Sequence, residues 1–231
     1  MSFIGDAYRG VLRIIYGIIH GIDKWINPYK YYYDEEELGD LLSRPSLKDE
    51  LKDITPQEMV EQGILGVRIE EVKHVLTTDE IVDQVVALDY DHLLYVHTDG
   101  HHQLAGIFEK ESYGRYQHRD DKVRKTLKPL LFPKSDGPFD RTHVIPIGYH
   151  GSENDSRLVI GWNKEHNRKD IRDFEAQVRD LNDGRSIIWF ADIQLNEDQT
   201  ATWDAYIYDL NGKELLTDSW TDYDQFVWKD A

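Results

Sequence analysis

Apolar and polar residues alternate through the C-terminal third of the chain, the pattern of half-buried strands. The alternation is clearest between Thr202 and Tyr208. Strands are predicted over residues 186–194, 200–209, 213–220 and 226–228. Because Asn211-Gly212 is typical of a tight hairpin turn, this region is predicted to form an antiparallel sheet.

A further hairpin is predicted upstream, where two apolar runs, His92–His97 and His101–Phe108, flank the dipeptide Asp99-Gly100. Residues that could bind a metal gather at its tip: His97, Asp99, His101 and His102. We interpret them as exposed turn residues, since a tight hairpin tip usually faces solvent.

Helical spacing of apolar residues predicts an amphipathic helix in the first 26 residues. These residues are Ile4, Tyr8, Val11, Leu12, Ile15, Ile19 and Ile22. Charged residues interrupt the segment well before the ~20 apolar residues of a membrane span, so no transmembrane segment is expected. It also lacks the features of a signal peptide, which favours a cytoplasmic protein and leaves secretion by another route open.

Capping boxes predict two further helix starts, at Thr55-Pro56-Gln57-Glu58 and at Thr77-Thr78-Asp79-Glu80. The apolar side of the second helix is predicted to contain Ile81, Val82, Val85 and Val86.

A longer helix is predicted from Asn163 to Leu181, with an apolar stripe formed by Ile171, Phe174, Val178 and Leu181. Asn167 lies on the same stripe, so its amide should point inward. An unpaired buried amide costs roughly 1–3 kcal/mol, and we therefore expect a backbone group or a bound ion to meet it.

Polar residues begin the segment before this helix: Asp140, Arg141 and His143 precede an apolar run that ends at Ile147. The β-branched content of the run predicts a buried strand from His143 to Ile147.

Asp140-Arg141-Thr142-His143, Asn167-Arg168, Phe174-Glu175 and Val178-Arg179 together resemble the ββα-metal motif of the DNA/RNA non-specific endonuclease family. The resemblance implies that His143 activates water, that Asn167 binds one Mg²⁺ or Mn²⁺, and that Arg141 holds the phosphate. It further implies that Glu175 orients metal-bound water and that Asp140 has a supporting role. Arg168 and Arg172 are predicted to contact the substrate.

Charge is unevenly distributed along the chain, whose formal net charge is −17. Residues 115–185 contain 15 Lys/Arg and 12 Asp/Glu, so the candidate site is the basic part of an acidic protein. The stretch 115–134 is a candidate surface for a phosphate backbone. Since the chain has no cysteine, disulfides and thiolate metal sites are excluded.

These patterns predict an α+β protein in which an antiparallel sheet carries a ββα-metal motif and the N-terminal region is helical. We expect two domains, a helical region with a hairpin over residues 1–110 and a nuclease-like domain over 111–231. The predicted function is a metal-dependent endonuclease that cuts DNA, RNA or both with little sequence specificity. The alternative is a catalytically degenerate relative that binds a protein partner through its acidic surface or its N-terminal helix.

Overall fold

The computed structural model describes residues 67–88, 92–113, 127–134, 139–151 and 155–230, together with Gly39, Leu42, Ser43, Ile54 and Met59. The predicted N-terminal helix, the Thr55 capping box and much of the basic stretch lie outside the described residues. The chain divides into two compact units, Met1–Tyr31 and Tyr32–Ala231, and every described residue belongs to the second. Within the described ranges, no helix is long and apolar enough to cross a membrane.

The described residues form ten strands and four short α-helices. The strands are β1 Ile69–Glu71, β2 Leu93–Thr98, β3 His101–Phe108, β4 Leu131–Pro133, β5 Phe139–His143, β6 Val159–Asn163, β7 Ile187–Leu195, β8 Ala201–Tyr208, β9 Glu214–Asp222 and β10 Phe226–Trp228. The helices are α1 Thr78–Val86, α2 Ile147–His150, α3 Lys164–His166 and α4 Arg172–Asn182, with a 3₁₀ turn at Ser156–Leu158 and a π-helical turn at Asn167–Ile171.

The largest sheet has the strand order β1-β2-β3-β7-β8-β9 and is antiparallel except for the β1–β2 pair. The predicted α+β class with an antiparallel sheet is therefore confirmed. Both predicted hairpins are also present, and Asp99 (φ 51°) and Gly100 (φ 78°) have the positive φ values of a type I′ turn. Residue 110, the predicted domain boundary, lies between β3 and β7, which are neighbours in this sheet.

The two remaining pairs of strands form separate ribbons, β5 with β6 and β4 with β10. We expected the last strand to continue the C-terminal sheet, and that expectation is wrong. The backbone amide of Phe226 donates to Gln199 O, and β10 then runs antiparallel to β4.

Helix α1 covers one face of the six-stranded sheet. Ile81 and Val85 pack into an apolar cluster with Leu94 and Phe190 from the sheet, whereas Val86 is exposed. The helix begins with the predicted capping box at Thr77, which is confirmed.

The opposite face of the sheet carries three tryptophans and packs against the region of the candidate site. Trp203 meets Trp220 and the β6 residue Trp162 edge to face. Phe174 of α4 makes the same kind of contact with Trp189 and Trp220. This burial holds β6 and α4 on the sheet.

The apolar run after His143 is buried, but it is not the strand we predicted. Strand β5 ends at His143, and α2 begins at Ile147 after a bend. Pro146 lacks the N–H that a strand ladder requires, and its fixed φ suits the residue before a helix. Gly151 ends α2 in the left-handed conformation, with φ 73°.

Candidate active site

The candidate site lies on the ribbon of β5 and β6 and on the helical segment that follows. The two strands pair from Phe139 opposite Asn163 to His143 opposite Val159. Gly161 lets the ribbon pack tightly, because a Cβ atom there would lie 2.7 Å from Phe132 Cβ and 2.9 Å from the Phe139 ring.

Asn163 makes the sharp transition from β6 to the helical segment. Its Oδ1 accepts hydrogen bonds from the backbone amides of Glu165 (2.9 Å) and His166 (3.3 Å), as a helix cap does. Its own backbone amide donates to Asp222 Oδ2 at 2.9 Å, which ties the transition to β9. Asn167 therefore has a defined position four residues after the end of the ribbon.

Asn167 begins the π-helical turn, a rare conformation that often occurs at functional sites. After this turn α4 continues the apolar stripe, in which Ile171, Phe174 and Val178 are buried as predicted and Leu181 is half-buried.

Asn167 and Arg168 both bind the carboxylate of Asp140. Asn167 Nδ2 donates to Asp140 Oδ2 at 3.2 Å. Arg168 Nε donates to Oδ2 at 2.8 Å, and its Nη2 donates to Oδ1 at 3.1 Å. Partial burial acts to raise the pKa of Asp140, but these hydrogen bonds outweigh it and hold the pKa below its usual value. The partner of the Asn167 amide is thus a carboxylate, rather than the backbone group or ion that we expected.

Arg141 and His143 belong to the other face of β5, because successive side chains of a strand point to opposite faces. Arg141 is exposed, and its Nε donates to Leu127 O at 2.9 Å. His143 is half-buried, and the centroid of its ring lies 5.6 Å from that of His150. The described contacts therefore bring Asp140, Asn167 and Arg168 together and place His143 beside α2.

His150 is fully buried, and its Nε2–H donates to Ile145 O at 2.9 Å. Burial lowers the pKa of His150 to about 4, so its ring is neutral near pH 7. The side chain of His143 thus packs against an uncharged imidazole.

Glu175 and Arg172 lie on α4. Arg172 is exposed, whereas Glu175 is half-buried and close enough to α2 for its charge to act on Tyr149. Burial is the main reason why the pKa of Tyr149 is raised, and the negative charge of Glu175 adds to that effect.

The described residues contain no group of three or more histidine and acidic side chains that could hold a metal ion. The donor set nevertheless fits a hard ion that keeps most of its waters and needs few protein ligands. Because Asn167 Nδ2 is bonded to Asp140, Oδ1 is the amide atom suited to an ion.

Sequence reasoning missed the importance of the histidines at the β2–β3 hairpin. We expected exposed turn residues, but His102 is fully buried and its ring nitrogen lies 3.0 Å from that of His97. The available signal was the two-residue spacing of a strand, which places His102 on the same face of β3 as Leu104 and Phe108. This is the face of the sheet that carries the three tryptophans.

No family model matches the chain, and comparisons with curated proteins and with solved structures give no match. The functional interpretation therefore depends on the residues and contacts of the candidate site.

Proposed function

We propose that the chain is a metal-dependent endonuclease that hydrolyses DNA, RNA or both with little sequence specificity. The observation that carries the proposal is the contact between Asn167 and Asp140. Two paired strands lead directly into a helical segment, and this contact joins the first strand to the start of that segment. Such an arrangement supports the resemblance to the non-specific endonucleases.

Asn167 would hold Mg²⁺ or Mn²⁺ through Oδ1, while its bond to Asp140 orients the amide. When bound, the ion supplies charge stabilisation to the phosphoryl oxygen and to the leaving oxygen. Arg168 keeps Asp140 ionised and in place, which makes it a positioning residue in addition to a source of positive charge.

His143 is the proposed general base, because a neutral imidazole can take a proton from water near pH 7. Arg141 is the proposed phosphate ligand, since its planar guanidinium matches phosphate geometry and its side chain is exposed. Glu175 would orient water at the ion, and Arg172 would contact the substrate.

The test is cleavage of plasmid DNA and single-stranded RNA with Mg²⁺ and with a chelator. His143→Ala should lower the cleavage rate by about 100-fold or more, because general base catalysis contributes about 10²–10⁴. His74→Ala is the matched control, since His74 is exposed and lies far from the motif in sequence. Equal cleavage by wild type and His143→Ala would refute the assignment of the base.

The second candidate is a non-catalytic protein-binding module. Two observations favour it: Arg168 already occupies the carboxylate of Asp140, and the strand pleat separates His143 from Asp140. Thr142, which stands where the endonuclease family has glycine, is also buried. Calorimetric titration with Mg²⁺ and Mn²⁺ separates the candidates, because only the enzyme requires an ion at Asn167. No heat and no cleavage from folded protein would favour the binding module.

A further inference from the structure

His97 and His102 form a hydrogen-bonded pair that links three parts of the chain. Their Nδ1 atoms lie 3.0 Å apart. His97 Nε2 is 2.6 Å from Lys229 O, just after β10. His102 Nε2 is 3.0 Å from Arg157 O, in the turn that precedes β6.

The two carbonyl oxygens determine where the ring protons must be. A carbonyl can only accept, so each Nε2 must carry a hydrogen to form the observed bonds. A neutral imidazole has one N–H, and both Nδ1 atoms of a neutral pair are therefore bare. Two lone pairs would then face each other at 3.0 Å, which is favourable only if an electron-pair acceptor lies between them.

The separation of the two nitrogens identifies that acceptor as a proton. A distance of 3.0 Å is typical of an N–H···N hydrogen bond. With Zn–N bonds of about 2.0–2.1 Å, two nitrogens of a tetrahedral zinc site lie roughly 3.3 Å apart, and further ligands would be required. The described residues offer no such group of ligands.

The surroundings of the pair limit it to one proton. Burial lowers the pKa of His102 to about 3, and a charge on His97 acts in the same direction, whereas the bond to Arg157 O opposes both. Burial also lowers the pKa of His97, whereas the hydrogen bond to the Lys229 carbonyl and the negative charges of Asp230 and Glu71 act to raise it. The Trp228 ring is stacked on His97 at 3.8 Å, and Tyr95 contacts both imidazoles. The guanidinium of Arg157 lies over Tyr95 and is paired with Asp155.

We propose that His97 and His102 bind a single shared proton between their Nδ1 atoms, and that this proton strengthens the attachment of β10 to the β2–β3 hairpin. Once the pair is charged, the His97 Nε2–H becomes a charge-assisted donor to Lys229 O. The same residue, Lys229, donates its amide to Leu130 O beside β4. Proton binding at the hairpin is therefore transmitted to the β4–β10 ribbon.

Imidazole ¹⁵N NMR of the 231-residue chain, titrated from about pH 8 to about pH 4, tests the shared proton. Both rings should be Nε2–H tautomers at the start, and both Nδ1 signals should move together as the pair takes up one proton. An Nδ1–H tautomer in either ring at the start, or one full proton taken up by each ring, would overturn the proposal.

His97→Phe provides the matched variant, because phenylalanine keeps a ring against Trp228 and removes both nitrogens. The one-proton step should disappear from His102. An unchanged step at His102 would show that no proton is shared. The wild-type tautomers decide the question independently if this variant does not fold.

Exchange of the Lys229 amide tests the second half of the proposal. Protection of this amide, corrected for intrinsic exchange, should rise severalfold on acidification in wild type and stay constant in His97→Phe. An equal response of the two proteins would overturn the link to β10.

Discussion

The six-stranded sheet and the β5–β6 ribbon are stabilised in different ways. In the sheet, strands such as β3 and β7 are nearly continuous in buried residues, so packing on both faces supports the backbone ladder. The ribbon has strands of only five residues, and its polar motif is held by side-chain contacts to Asp140 near the surface. The sheet therefore depends on buried apolar packing, whereas the polar motif depends on hydrogen bonds and an ion pair at Asp140.

The largest effect should come from removing a tryptophan from the sheet. Trp203 is 2% exposed and contacts Trp162 and Trp220, so Trp203→Ala should lower the free energy of unfolding by about 3–5 kcal/mol. Arg141→Ala on the ribbon should cost under about 0.5 kcal/mol, because its side chain is exposed. Urea denaturation followed by circular dichroism measures both changes. Similar losses would mean that the ribbon is as important to stability as the sheet.

Two glycines allow a matched comparison of packing in the two regions. A Cβ atom on Gly106 in β3 would lie 2.6 Å from Leu93 Cδ2, and one on Gly161 in β6 would lie 2.7 Å from Phe132 Cβ. Each substitution by alanine should cost about 1–3 kcal/mol. Gly161→Ala should cost more, because Phe132 Cβ is fixed to the backbone whereas Leu93 Cδ2 is the far end of a flexible side chain. Thermal unfolding of the two variants gives the order, and the reverse order would contradict this account.

The smallest effect concerns two carboxylates whose contributions to stability should respond oppositely to pH. The pKa of Asp140 is lowered, so its contribution is present above the unfolded pKa of about 3.9 and is lost as pH falls through the folded value. Burial in the sheet raises the pKa of Asp192 despite its contact with His101. Protonation of Asp192 should therefore stabilise the folded protein as pH falls from the folded pKa of this carboxyl towards its unfolded pKa.

Asp140→Asn and Asp192→Asn measure this difference. At about pH 7, Asp140→Asn should cost under about 1 kcal/mol, because its partner Arg168 is 60% exposed. Asp192→Asn should be neutral or stabilising at the same pH, since the buried negative charge is removed. Unfolding free energies at about pH 7 and about pH 3 should show a smaller loss in Asp140→Asn at the lower pH. A pH-independent loss would mean that the ion pair with Arg168 has no influence on stability.

Local patterns predicted the hairpins, the Thr77 cap and the apolar stripe of α4, because each depends on residues close together in sequence. We predicted that a strand runs from His143 to Ile147 because the run is β-branched, and we gave too little weight to Pro146. For that reason the end of β5 at His143 was missed. Local patterns do not indicate which distant segments pair, and so β4 could not be recognised as the partner of β10. The need of Asn167 for a hydrogen-bond partner was predictable from its place on the apolar stripe, but the identity of that partner as Asp140, 27 residues away, was not.

Strands β3 and β7 lie side by side, with Phe108 opposite Ile187, although the whole ribbon and α4 come between them in the chain. Closing so long an intervening segment carries a large entropic cost, and non-local pairing of this kind slows folding. The hairpins β2–β3 and β7–β8 can form early from local contacts, which leaves their unpaired edges exposed until the sheet closes. Folding is therefore expected to be slow at the junction of β3 with β7.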